Sequence, residues 1–231
     1  MTKERPPKKV VLRIGHRGAC GHAPENTLRS IAQAITLGCD LAEVDVQRTK
    51  DGHLVLIHDL RVDRTTTGKG LVAEMNLEDL RKLDAGGGQK IPTLEEALEA
   101  ATGRIGLILE VKAEGLAYDL CSIVRASGFT GPILYASFLH DELQHLRRAD
   151  PEARIMVLLK RPPKDPTAEA ARLQATHVGL RFDTATKPLV TTLHKARLTT
   201  FVYTVNNPKD IQRMRALGVD GIVSDFPDRI R

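Results

Sequence analysis

From Val10 to the end of the chain, short runs rich in Val, Ile and Leu alternate with longer segments of helical period. That alternation is the pattern of a parallel sheet whose strands are joined by crossover helices. The apolar runs begin at Val10, Leu41, Ile105, Ile133, Arg154, Thr176, Thr199 and Gly221, and the helical stretches cover 27–37, 94–101, 117–127, 141–149, 167–174, 188–196 and 208–217. Eight such strands in a chain of 231 residues match one α/β domain, a (β/α)₈ TIM barrel, with no second domain required. The domain is expected to span residues 10–231. The interval 51–91 is too long for a simple crossover and reads as a small insertion after the second strand. It contains a short strand at 53–57, a short helix at 77–83 and a flexible joint at Gly86-Gly87-Gly88.

The bulk properties exclude several classes. No run is apolar enough to span a bilayer, so no stable membrane insertion is expected. Residues 1–9 are basic and proline-containing without an apolar stretch; they read as a flexible tail rather than a signal peptide, so the cytoplasm is the expected location. Cys20, Cys39 and Cys121 have neither disulfide-framework nor zinc-finger spacing. A net charge of +5 suits an anionic substrate, but the cations are scattered and aromatics make up 3%, so nucleic acid is not the expected partner. Oligomeric state has no sequence signal.

In barrels of this kind the chemistry sits at the C-terminal ends of the strands. There the first strand runs into His16-Arg17-Gly18, the second carries Glu43-Val44-Asp45, the third carries Glu110-Val111-Lys112, and the inserted strand ends at His58-Asp59. The two-residue period of a strand puts Glu43 and Asp45 on one face, able to point into the barrel mouth. Three converging carboxylates repel unless protonated or bridged by a cation, and all-oxygen ligation favours Mg²⁺ or Ca²⁺, with Mn²⁺ possible, over zinc. Two histidines beside such an ion could act as base and acid, while Arg17 and Lys112 could hold a phosphate. Taken singly, each feature also has a structural reading. Glu43 and Asp45 fit an ion-pair element with Lys112 or Arg17, Glu110 fits a pair with Lys112, and Asp59 fits a turn or a partner orienting His58. Asn26 fits an N-cap for a helix beginning at Thr27, and Cys20 lacks a local base.

Taken together, His16-Arg17-Gly18 followed by Pro24-Glu25-Asn26-Thr27, Glu43-x-Asp45, His58-Asp59 and Glu110-x-Lys112 resembles the signature series of the glycerophosphodiester phosphodiesterase family. Arg64-Thr65-Thr66, residues 91–96, Ser137-Phe138 and residues 219–225 are similar too, so the resemblance covers nearly the whole chain. It implies that Glu43, Asp45 and Glu110 ligate a divalent ion, that His16 and His58 form the acid and base pair, and that Arg17 and Lys112 bind phosphate. The substrate it implies is a small-molecule glycerophosphodiester, cleaved to sn-glycerol 3-phosphate and an alcohol, with the insertion covering the glycerol. One departure is Tyr203, where this family commonly places Trp. The alternatives at this point are a barrel phospholipase of the sphingomyelinase D or phosphatidylinositol-specific phospholipase C kind, including lysophospholipase D-type activity, and a non-catalytic barrel that only binds.

Overall fold

In a computed structural model that describes residues 10–230, eight parallel strands close into a barrel. They are β1 (Leu12–Gly15), β2 (Leu41–Arg48), β4 (Gly106–Val111), β5 (Ile133–Ser137), β6 (Ile155–Leu159), β7 (His177–Arg181), β8 (Thr199–Tyr203) and β9 (Gly221–Ser224). Closure comes from β1, which pairs in parallel with β2 on one side and β9 on the other. Crossover helices follow the expected order: α1 (Leu28–Thr36), α3 (Leu94–Ala101), α4 (Ala117–Ala126), α5 (His140–Ala149), α6 (Pro166–Arg172), α7 (Lys187–Lys195) and α8 (Pro208–Leu217). The first strand begins at Leu12 rather than Val10, and Val10 is exposed. The tail expected over residues 1–9 lies outside the described residues. No helix among the described residues is long and apolar enough to cross a membrane.

Strand periodicity divides the core into two shells. Ala42, Val44, Val46, Leu107, Leu109 and Val111 point outward into the layer shared with the helices. Ile14, Leu41, Ile108, Leu134, Met156 and Phe201 point inward and fill the barrel. One inward row of β2 therefore runs Leu41, Glu43, Asp45, Gln47, from apolar floor to polar mouth. Register sets Glu43 beside Ile108 and Asp45 beside Glu110 on β4, which brings the acids together above the packed interior.

The insertion contains β3 (Leu54–Leu56), antiparallel to β2, and α2 (Leu77–Lys82). Val55, Ile57, Val62, Val72, Leu80 and Ile91 give it a small core of its own. Gly86-Gly87-Gly88, expected to be a flexible joint, is instead a pinned turn. The Asp84 carboxylate accepts from the backbone N–H groups of Gly86 (2.7 Å) and Gly88 (3.0 Å).

The turn after β1 depends on glycine. A Cβ on Gly15 would lie 2.0 Å from the Gly18 carbonyl oxygen, and Gly18 itself has φ +83°. This tight turn lets the Gly18 N–H donate to the Glu43 carbonyl (2.9 Å), tying the loop after β1 to β2.

Candidate active site

The carboxylate oxygens of Glu43, Asp45 and Glu110 lie within 4.8 Å of one another at the top of the barrel. Asp45 is 1% exposed and is clasped by Asn26, whose Nδ2 donates to Asp45 Oδ2 (2.8 Å) and whose Oδ1 accepts from the Asp45 N–H (3.0 Å). Asn26 is therefore not the cap of α1. Thr27 caps that helix in a reciprocal box with Ser30, and Asn26 adopts φ +55°, a left-handed conformation that Asn tolerates, to reach Asp45.

Two cations flank the acids. Lys112 Nζ lies 2.7 Å from Glu110 Oε1 and 3.4 Å from Asp45 Oδ1, while Arg17 Nε lies 3.4 Å from Asp45 Oδ2. Arg17 also sits in the left-handed region, at φ +50°, which aims its backbone N–H at Glu43 Oε2 (2.8 Å). Even so, the acids are incompletely neutralised. Burial first, then the adjacent Asp45 charge, pushes the Glu43 carboxyl up to about 8, and the same two causes raise Glu110. Glu43 Oε1 is buried with no hydrogen-bond partner.

Each candidate histidine is held through Nδ1 by a carboxylate. His16 Nδ1 is 2.6 Å from Asp225 Oδ1, and His58 Nδ1 is 2.6 Å from Asp59 Oδ1. A carboxylate at Nδ1 leaves Nε2 of both rings available to accept or donate a proton. His16 Nε2 comes within 4.0 Å of Glu43 Oε2. Burial opposes the charged His16 ring, but the Asp225 hydrogen bond and the Glu43 charge outweigh it and raise its pKa. Asp225 is held in turn by Asn206 Nδ2 (2.6 Å), and the Cys20 thiol donates to it (3.1 Å). Burial pushes that thiol up, out of nucleophilic range, so Cys20 is a hydrogen-bond donor here.

His58 belongs to the insertion, and Gln47 joins that segment to the barrel. Its Nε2 lies 2.6–3.2 Å from the carbonyl oxygens of Ile57, His58 and Asp59. A second tie runs through Arg64, which donates to Asp59 Oδ2 (2.6 Å) and forks onto both oxygens of Glu25 (2.8 Å each). Glu25 also accepts from Arg17 NH1 (2.7 Å). The Arg64 hydrogen bond is the largest reason that Asp59 is held well below the usual carboxylate range.

All seven residues singled out by sequence thus gather at the C-terminal end of the barrel. His16, Glu43 and Glu110 line a cleft of about 410 Å³, including its part open to solvent, together with Phe138 and Tyr203. His58 lines a smaller crevice beside it, with Glu25, Asn26 and Thr65. Sequence reasoning missed the parts played by Asp225, Asn206, Gln47, Glu25 and Arg64. Asp225 closes the final apolar run, a strand-end position, and that was the available signal.

The sequence model of the glycerophosphoryl diester phosphodiesterase family matches residues 16–229, from the first candidate histidine nearly to the end of the chain. The chain belongs to that family. A glycerophosphodiester phosphodiesterase of Caldanaerobacter subterraneus is 35% identical, over 95% of this chain and 96% of its own length. Among solved structures, a glycerophosphodiester phosphodiesterase from Agrobacterium tumefaciens superposes with a TM-score of 0.86 at 32% identity, covering 96% of this chain and 99% of its own. A phosphodiesterase from Oleispira antarctica, in complex with the product sn-glycerol 3-phosphate, gives 0.89 at 30% identity, over 94% of both chains. As a glycerophosphodiester phosphodiesterase the chain is a hydrolase, and the fold expected from the alternating pattern is the family's own.

Burial of Glu43 beside the Asp45 charge has a measurable consequence in cation-free protein. A carboxyl raised from 4.5 to about 8 keeps its proton in the folded state after the unfolded chain has lost it. Between those values the folded state binds more protons, so this group's contribution to stability falls as pH rises. Glu43→Gln removes that cost. In chelator, the variant is expected to melt higher than wild type at pH 8 by roughly 5 °C, with the gap closing toward pH 5. A gap that is absent, or that widens toward pH 5, contradicts the assignment of strain to Glu43.

Proposed function

We propose that the protein hydrolyses glycerophosphodiesters to sn-glycerol 3-phosphate and an alcohol, with one divalent cation and a pair of histidines as acid and base. The observation that carries this reading is the pairing of two Nδ1-anchored imidazoles with a buried triad of carboxylates. The triad suits a hard cation: its donors are all oxygen, Glu43 Oε1 lacks a partner, and two of its members are raised by burial and then by the Asp45 charge. Glu43, Asp45 and Glu110 would hold Mg²⁺ or Ca²⁺, with Mn²⁺ also compatible. When bound, such an ion supplies Lewis-acid polarisation of a phosphoryl oxygen.

The remaining work falls to the chain's own groups. Arg17 and Lys112, already directed toward Asp45 from two sides, would turn their charge to phosphate oxygens and stabilise the negative charge growing there. One imidazole takes a proton at Nε2 from the attacking hydroxyl. The other, protonated, gives its Nε2 proton to the departing alcohol oxygen, which leaves as a neutral alcohol. Asp59 and Asp225 hold the rings in the tautomer this requires and stabilise whichever is cationic. Gln47 and Arg64 fix the insertion so that His58 faces the same site as His16.

The product complex of the Oleispira antarctica relative supports glycerol phosphate as one half of the substrate. Purified protein incubated with glycerophosphoglycerol and Mg²⁺ is expected to release sn-glycerol 3-phosphate, followed with a stereospecific dehydrogenase. Release of inorganic phosphate, or of no phosphate ester, overturns the proposal.

A further inference from the structure

Lys160 is the first residue after β6, at the same end of the barrel as the active site. Around the closed sheet, β6 is separated from β1 by three strands in either direction, so Lys160 stands across the mouth from His16 and Arg17. Its ammonium lies over the ring of Phe138, 5.0 Å from the centroid. Phe138 lines the active-site cleft and meets Tyr203 edge to face at 5.9 Å.

The charge of Lys160 is uncommitted. Arg17, Arg64, Lys112 and Arg181, cations at the same end of the barrel, each have a carboxylate within salt-bridge distance. Among the described residues, Lys160 and its neighbours Arg161 and Lys164 have no such partner. The nearest acid in sequence, Asp165, caps α6 through the N–H groups of Thr167 and Ala168. Tyr203 adds a buried hydroxyl with no hydrogen-bond partner to the same wall.

From this wall we infer a substrate class: glycerophosphodiesters that carry a second anionic group on the substituent reaching across the mouth toward β6. This rests on the reading of the site as a glycerophosphodiester hydrolase. A phosphate or carboxylate there would meet Lys160 first, with Arg161 and Lys164 contributing longer-range attraction, and the Tyr203 hydroxyl could donate to a sugar or phosphate oxygen. A quaternary ammonium is disfavoured in the same place. It needs an open aromatic face, and the face of Phe138 carries the Lys160 ammonium, whose charge also repels it.

The test compares glycerophosphoinositol 4-phosphate with glycerophosphoinositol, which differ by one phosphate, and with glycerophosphocholine. The wild-type protein is expected to favour the phosphorylated substrate over its parent by about five- to tenfold in kcat/KM, and to use glycerophosphocholine least. Lys160→Gln should bring the phosphorylated-to-parent ratio close to one, and Lys160→Arg should keep it. A wild-type ratio near one, or a Lys160→Gln variant that slows all three substrates equally, overturns the inference. Glycerophosphoglycerol hydrolysis in the same preparations separates the two proposals: if it proceeds without charge discrimination, only the substrate class fails. If no glycerophosphodiester is cleaved, both fail.

Discussion

His16→Ala and His58→Ala are each expected to lower kcat by about 10²–10⁴-fold, the usual contribution of one general acid or base. The two deletions should be far from additive, because the rings act on the same proton inventory and losing either stops the same turnover. Neither ring belongs to the carboxylate triad, so both variants should still gain thermal stability when a divalent cation is added. Asp225→Asn and Asp59→Asn probe the anchoring of the rings. An amide can turn its NH₂ toward Nδ1, which moves the ring proton to Nε2 and leaves that nitrogen unable to accept one. Their loss should appear in kcat with KM little changed. Turnover within a few-fold of wild type in both alanine variants is incompatible with the proposed roles.

The second large effect concerns the carboxylates. Asp45→Ala removes the acid between Arg17 and Lys112 and leaves Asn26 Nδ2 without its acceptor, while Asn26 Oδ1 keeps the backbone N–H of residue 45. Activity is expected to fall on the order of 10²–10³-fold, as when a preorganised electrostatic partner of a transition state is deleted. Cation-induced stabilisation should disappear as well. The effect differs in sign from that of Glu43→Gln, which should stabilise the cation-free fold while removing activity. A trade of stability for function is expected where like charges are held together for a ligand. Calorimetric melting of both variants with and without Mg²⁺ reads the two effects, and an unchanged cation response in Asp45→Ala contradicts its proposed role as a ligand.

Much of this was legible before any coordinates. The eight apolar runs and their order carry the barrel, because parallel strands buried on both faces leave a strong signature. Glu43 and Asp45 could be placed on one face from the two-residue period alone, and strand register then adds Glu110. Contacts between distant segments were less accessible. Asp225 meets His16 across 209 residues and Glu25 meets Arg64 across 39, and neither pairing leaves a local trace. Asn26 misled for a related reason: next to a helix start, an Asn suits a cap, and only the approach of β2 shows its amide engaged with Asp45. At Gly86-Gly87-Gly88 composition suggested looseness, whereas the deciding residue is Asp84, just upstream, whose carboxylate collects the turn's N–H groups.

In the proposed mechanism a cation held by Glu43, Asp45 and Glu110 is required for the hydrolysis in which His16 and His58 would move the protons. The most direct test is to strip the protein with a chelator, assay glycerophosphoglycerol, and titrate Mg²⁺, Ca²⁺ or Mn²⁺ back while measuring bound metal per chain. The expected result is activity lost on stripping and recovered in step with the binding of about one ion per chain. Full activity in the stripped protein, or recovery unrelated to binding at these three carboxylates, would contradict it.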